Sequence, residues 1–163
     1  MRTIKIARNT CGDTRTATEI PTMTAFKMSN DLHKKDVERM MLEIAKDINV
    51  QGESHDWTKI TEPYASQFYR ELCATIEGKM DFEQGDWYPM HCRTERHHLT
   101  EHCPEDVNLI DVLEMICDCV CAGMARSGDV RPVKIPSEIL QQAVENTVQM
   151  CKDAVEVIQD AEN

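Results

Sequence analysis

The chain has 163 residues, enough for one domain with a real core, and its 41% apolar content is globular rather than disordered. Its 29 acidic and 18 basic side chains give a formal net charge of -11. That balance excludes a general binder of double-stranded nucleic acid or of anionic membrane, both of which need a basic surface. It leaves a small anionic substrate open, because a metal can invert the local field.

In chain order, MRTIKIARNT is polar and lacks the apolar stretch of an export signal, so a cytoplasmic protein is expected. Ile4 and Ile6 alternate onto one face, and TRTATEI (residues 14–20) could form a second extended piece. Residues 1–25 are therefore expected as an arm or a short hairpin, ahead of one helical domain over 26–163. SNDLHKKDVERMMLEIAKDINV predicts a helix from about Asn30 or Asp31 to Ile48, with Leu32, Val37, Met40, Met41, Ile44 and Ile48 as its stripe. After the polar break QGESHDWTK, a second helix is expected over Thr61 to Glu77, with Pro63 in its first turn and Gly78 as its stop.

The next segment holds four of the six histidines within twelve residues, His91 to His102. A helix from about Pro89 to Glu101 fits it, stopped by Pro104. VNLIDVLEMICDCVCAGMARSG then predicts a long apolar helix with Ile110, Leu113, Cys117, Val120 and Met124 along one side. A last helix is expected from Ser137 to Asp160, with Leu140, Val144, Val148, Cys151, Val155 and Ile158 on its apolar face. No run is long and apolar enough to span a membrane. The eight cysteines read mostly as small core hydrophobes in a reducing interior. Five helices, short connections and at most one hairpin make a mostly α protein.

The chemistry-bearing residues are scattered: His33, the adjacent pair His55-Asp56, the cluster His91, His97 and His98, and Asp118 inside the apolar helix. Imidazole and carboxylate donors suit Mn, Fe, Co, Ni or Zn. Each residue also has a plainer use. His33 can lean on the core beside Val37. Neighbouring helical residues point about 100° apart, so His97 and His98 would not both reach one ion. Asp118 shares a face with Asp111 and Glu114, and that face could be a solvated acidic stripe. Arg93 and Arg96 could bind an anion or pair with local acids. A small zinc site from Cys92, His98, His102 and Cys103 lacks paired cysteine spacing.

The order His33, then His55-Asp56, then Asp118 resembles the HD-domain superfamily of metal-dependent phosphohydrolases. More closely, SHDWTK, WYPMHCRTERHH and LIDVLEMICD are similar to the DUF5662-type proteins, an HD-like group of bacteria and their phages, over roughly residues 30 to 126. The resemblance implies a single HD-like helical bundle. It also implies one or two divalent metal ions held by His33, His55, Asp56, His91, His98 and Asp118, with Asp56 bridging where there are two. Lys59 and Arg96 would neutralise charge developing on a phosphoryl group, and His97 or His98 would protonate the leaving oxygen. The expected activity is metal-dependent hydrolysis of phosphate esters, nucleotides or cyclic nucleotides by analogy, with Trp57, Trp87 and Tyr88 available to stack. Two other readings use the same residues. One is a mixed-valent di-iron oxygenase. The other is a non-enzymatic helical interaction protein, with a phage factor as one case. The apolar face of the last helix leaves a homo-oligomer open.

Overall fold

The computed structural model describes residues 1–159. The protein is mostly α-helical, with five main helices and a small two-stranded sheet near the termini. The chain divides into two compact units, one of residues 1–49 and 148–163 and the other of residues 50–147.

In the first unit, β1 (Ile4–Ala7) pairs in parallel with β2 (Val155–Ile158), with Ile4 opposite Val155 and Ala7 opposite Ile158. Ile4 and Ala154 are buried where the pairing begins, and the Ile4 amide donates to the Ala154 carbonyl at 2.7 Å. The hairpin partner expected over residues 14–20 is instead a turn and bends, closed by Asp13. The expected last helix is also shorter. α6 (Ser137–Asp153) stops before the run Val155, Val157, Ile158, whose β-branched side chains favour a strand. The end expected at Asp160 lies outside the described residues. α1 (Met23–Ser54) begins earlier than the sequence suggests, and Ser29 on it is buried against Gly12, where a Cβ would come within 2.1 Å of the Ser29 hydroxyl.

The second unit carries the end of α1 and then α2 (Trp57–Ile60), α3 (Tyr64–Ile76), a 3-10 turn (Phe82–Gln84), α4 (Trp87–Thr94), α5 (Leu109–Ser127) and most of α6. Its core is Leu99, Val107, Val112 and Ala143, with Met115, Ile135 and Ile139 packed against it. The expected helix over 61–77 starts later, because Pro63 falls at the N-cap of α3 rather than inside its first turn. An aromatic group of Phe68, Phe82 and Trp87 joins α3 to α4, with the Phe68 and Trp87 rings stacked at 4.3 Å. The Glu71 carboxylate accepts from the Trp87 amide at 3.0 Å and ties down the start of α4.

α5 is turned away from the expectation: of the predicted stripe only Ile110 is buried. Leu113, Val120 and Met124 are exposed, whereas Asp111 is buried and Glu114 and Asp118 are partly buried. A solvated acidic stripe is thereby corrected: the acids face inward, where they have cationic partners. Most cysteines are not core residues either. All eight are free thiols, Cys92 alone is buried, and Cys117 and Cys121 are exposed.

The C-terminal end of α5 is held by its own exit. Gly128 takes the left-handed conformation (φ 74°) that favours glycine, and the chain returns so closely over Gly123 that a Cβ there would lie 2.4 Å from the Asp129 carbonyl oxygen and 2.6 Å from the Arg131 nitrogen. Both neighbours are backbone, so Gly123→Ala must displace the 129–131 segment. We expect a loss of about 1–3 kcal/mol, seen as a lower midpoint in thermal unfolding. Wild-type stability in that variant would remove this packing argument.

Candidate metal centre

The predicted pair sits at a helix break. α1 ends at Ser54, and Asp56 adopts φ 57°, ψ 27°, the only non-glycine positive φ among the described residues. An aspartate tolerates this conformation better than a branched residue does. Because the helix is broken there, consecutive side chains can turn to one place: His55 Nε2 lies 3.3 Å from Asp56 Oδ2 and 3.6 Å from Asp118 Oδ1. The other ring nitrogen, Nδ1, is 2.8 Å from Glu114 Oε1.

The second oxygen of Asp56 meets a different set. Oδ1 is 3.5 Å from His91 Nε2 and 3.7 Å from His97 Nε2, while His91 and His98 approach each other at 2.9 Å through their Nε2 atoms. α4 ends at Thr94 rather than Glu101, so His97 and His98 lie in the turns that follow it. The 100° separation expected of helical neighbours therefore does not apply, and both rings join His91. The run breaks here because Glu95 is extended and spends its side chain elsewhere. Its carboxylate accepts from the Thr58 amide at 2.9 Å and from the Thr58 hydroxyl at 2.6 Å.

That leaves the Thr58 oxygen to accept from His91 Nδ1, 2.6 Å away. A threonine hydroxyl has one proton. If Glu95 receives it, His91 carries its proton on Nδ1 and turns a bare Nε2 toward Asp56. Thr58, His91 and Glu95 are all buried.

Electrostatics follow from this layout. Asp118, Asp56 and Glu114 hold the His55 imidazole charged and push its pKa up to about 11. Burial, followed by the neighbouring His98, pushes His91 down to about 3. Burial would raise the Glu114 carboxyl, but His55, His97 and Gln51 outweigh it and bring the group down to about 2. Asp56 is also held below the usual carboxylate range, because His55 and Lys59 together exceed the effect of burial. His55 lowers Asp118 likewise.

Four groups of three donors result: His91, His97 and His98; His55, His97 and Glu114; His55, Asp56 and Asp118; and Asp56, His91 and Glu95. Among the described residues, no such group includes Cys92, His102 or Cys103, so the small zinc site gains no support. A metal ion fits this donor set on a further observation. Asp56 Oδ1 and both nitrogens of His97 are buried without a hydrogen-bond partner. Buried polar atoms are rarely left so. His97 Nδ1 stands 3.2 Å from Glu114 Oε1 but is out of line for a hydrogen bond.

The other predicted residues fall as follows. Lys59 ion-pairs with Asp56 and lines a cleft of about 810 Å3 that His91, His97, His98 and Asp118 also line. Arg96 forks onto Asp111 at 2.7 and 2.8 Å and reaches Asp106 at 2.9 Å. Asp111 in turn accepts from the Asn108 amide and closes a capping box at the start of α5. His33 lies on α1 in the first unit, is exposed, contributes to the field at Asp13 and belongs to none of the four donor groups. Sequence reading missed Glu114, Glu95 and Thr58. For Glu114 the signal was present, since it lies four residues before Asp118 on the same face.

A family model described as "Family of unknown function (DUF5662)" matches residues 24–161. The chain belongs to that family. The match runs beyond the 30–126 span of the sequence resemblance and takes in α6. No curated protein and no solved structure matches the chain. Among the described residues, no helix is long and apolar enough to cross a membrane.

Two outcomes follow from this geometry. Thr58→Val deletes the hydroxyl between Glu95 and His91 and should cost about 1–3 kcal/mol of stability and roughly 10–100-fold in metal affinity; unchanged metal affinity would rule out an orienting role for Thr58. In the metal-free protein His55 is protonated at neutral pH, since its pKa lies near 11. A metal must displace that proton, so metal binding should release protons and tighten as pH rises from 6 to 8. Calorimetry in buffers of different ionisation enthalpy reads the release directly, and a signal independent of buffer would count against it.

Proposed function

We propose that this member of the DUF5662 family is an HD-type metal-dependent phosphohydrolase that uses one or two divalent ions to cleave phosphate esters, with nucleotides or cyclic nucleotides as the substrate class by analogy. The observation that carries the reading is the Asp56 carboxylate: Oδ2 faces His55, and Oδ1 faces His91 and His97. One carboxylate between two histidine groups suits a residue shared by two cations. Bound there, a divalent ion supplies Lewis acidity toward a phosphoryl oxygen and lowers the pKa of water.

The chain's own residues divide the remaining work. His55, Asp56 and Asp118 would hold one position, and His91, His97 and Asp56 the other. We assign Glu114 a place among the ligands that the HD resemblance does not give it, because it contacts His55 and forms a donor group with His55 and His97. Lys59, freed from Asp56 when a cation takes that oxygen, would neutralise charge developing on the phosphoryl group. His98 is the most exposed of its three-histidine group and has Glu101 3.7 Å from its Nδ1, so although burial lowers its pKa, it is better placed than His97 as proton donor to the leaving oxygen. Arg96 contributes through Asp111, by fixing the start of the helix that carries Glu114 and Asp118.

Lys59, the cation beside Asp56 on the cleft wall, favours this reading over a di-iron oxygenase built on the same donors. The test is element-resolved metal analysis of protein purified without chelators or a metal-affinity tag, followed by a screen of phosphate esters and nucleotides with added Mn, Co, Ni or Mg. We expect one to two metal equivalents and turnover that falls at least about 100-fold in Asp56→Ala and Asp118→Ala, each with lost metal and retained helical content. Stoichiometric iron with dioxygen uptake would establish the oxygenase instead. Metal held without turnover, or full occupancy in both variants, would sink the proposal.

A further inference from the structure

We propose that the cleft beside the histidine cluster contains a second anion-binding subsite, made by Arg126, Arg131 and Lys134, and that its substrate is a phosphate ester bearing a second anionic group, phosphate or carboxylate. The proposal rests on the phosphoryl group binding at the metal centre, as above.

Four observations carry it. First, the three cations line the same cleft as His91, His97, His98 and Asp118, so one ligand can touch both. At about 810 Å3 the cleft matches sites for whole small molecules, well beyond a bare phosphate. Second, the cations have no ion pair among the described residues, whereas Arg96 spends its guanidinium on Asp111 and Asp106. Three cations against one acid, Asp129, within nine residues of a chain of net charge -11 are a local reversal of field, and none of the three is ion-paired to Glu101 or Asp118 in the same cleft.

Third, the segment is anchored. Arg131 donates its backbone N–H to the Cys119 carbonyl at 3.2 Å, and the chain from Asp129 to Arg131 lies against Gly123. Cys119 follows Asp118 directly, so the helix that brings a carboxylate to the metal centre also fixes the cationic segment relative to it. Fourth, Trp87 lines the cleft, and its buried indole Nε1–H has no acceptor. An indole nitrogen can only donate. It therefore offers one hydrogen bond to an acceptor atom of the ligand, while Phe82 and Tyr88 in the same wall suit an apolar or planar portion between the two anionic ends.

The test uses the metal-loaded full chain and three probes that are not hydrolysed: phenylphosphonate, 4-phosphonobenzoate and 1,4-phenylenediphosphonate. Titration calorimetry should show at least one of the two-anion probes binding tenfold or more tightly than phenylphosphonate, and the better of the two identifies the second group as carboxylate or phosphate. Combined Arg131→Ala and Lys134→Ala should erase that preference while leaving phenylphosphonate affinity and metal content unchanged. Both positions are exposed, so folding is not at stake. Equal affinities for all three probes in the wild type, or a preference that survives the double substitution, would overturn the subsite alone. Failure of phenylphosphonate to bind metal-loaded protein would overturn the phosphoryl reading and the subsite with it.

Discussion

The Asp56 carboxylate sits where four imidazoles and three other carboxylates converge, and its position makes the rest of the centre necessary. Asp56, Glu95, Glu114 and Asp118 share a partly dry region, where like charges repel and desolvation disfavours each. Such a set persists only with positive charge among it. Without an ion, His55 and Lys59 carry that charge, which is why His55 is held so firmly in its protonated form. They do not finish the task. Asp56 Oδ1 and both His97 nitrogens stay buried and unpartnered. A cation held by Asp56 Oδ1 and His97 Nε2 would satisfy those two atoms, leave the His97 Nδ1 proton to Glu114 and release Lys59 for another role.

This constraint also sets how α5 is rotated. A helix as apolar as LIDVLEMICDCVCAGM would ordinarily turn its leucine and valine side inward. Here Ile110 and Val112 at its start are buried, but Leu113 and Val120 are exposed, and Asp111, Glu114 and Asp118 face in. The three acids do different things along one face. Asp111 is a structural anchor, forked by Arg96 and joined to the Asn108 amide. Arg96 is 33% exposed and Asp111 1%, so removing one partner costs on the order of 1–3 kcal/mol, enough to fix the start of the helix. With the start of α5 fixed, Glu114 and Asp118 follow at spacings of three and four residues, which on a helix keeps them on the anchored side. The apolar side must then take the remaining surface.

This explains which parts of the molecule were legible in the sequence. The helical class followed from periodicity, because long stretches repeat near 3.6 residues whichever face is buried. The choice of face did not follow, since hydrophobicity alone turns α5 the wrong way. His55, Asp56 and Asp118 were legible as a set because their order matches an HD-like pattern. Glu114 was hidden by its neighbours: beside Asp111 and Asp118 it read as part of a charged stripe. Thr58 and Glu95 were illegible for a different reason. Each is an ordinary polar residue until a contact 37 positions apart in sequence ties them together around His91. β2 was missed because Val155 and Ile158 also fit the helical period of α6, and only pairing with β1 decides between the two.

The adjacency of His55 and Asp56 has its own mechanical explanation. In a continuous helix, neighbouring side chains diverge by about 100°, and a His-Asp pair could not close on one point. The left-handed turn at Asp56 breaks the helical path between α1 and α2, and the two side chains come within 3.3 Å. The same turn starts α2, whose second residue is Thr58, so the donor pair and the residue that orients His91 are set by one backbone event. A left-handed aspartate costs roughly 1 kcal/mol or somewhat more, and such strain persists only where surrounding contacts over-determine it. Lys59, His55 and the two histidines facing Oδ1 are those contacts. The strain at Asp56 and the unpartnered state of its Oδ1 are therefore one fact seen twice: the backbone is bent to deliver an oxygen that no group in the chain fully satisfies.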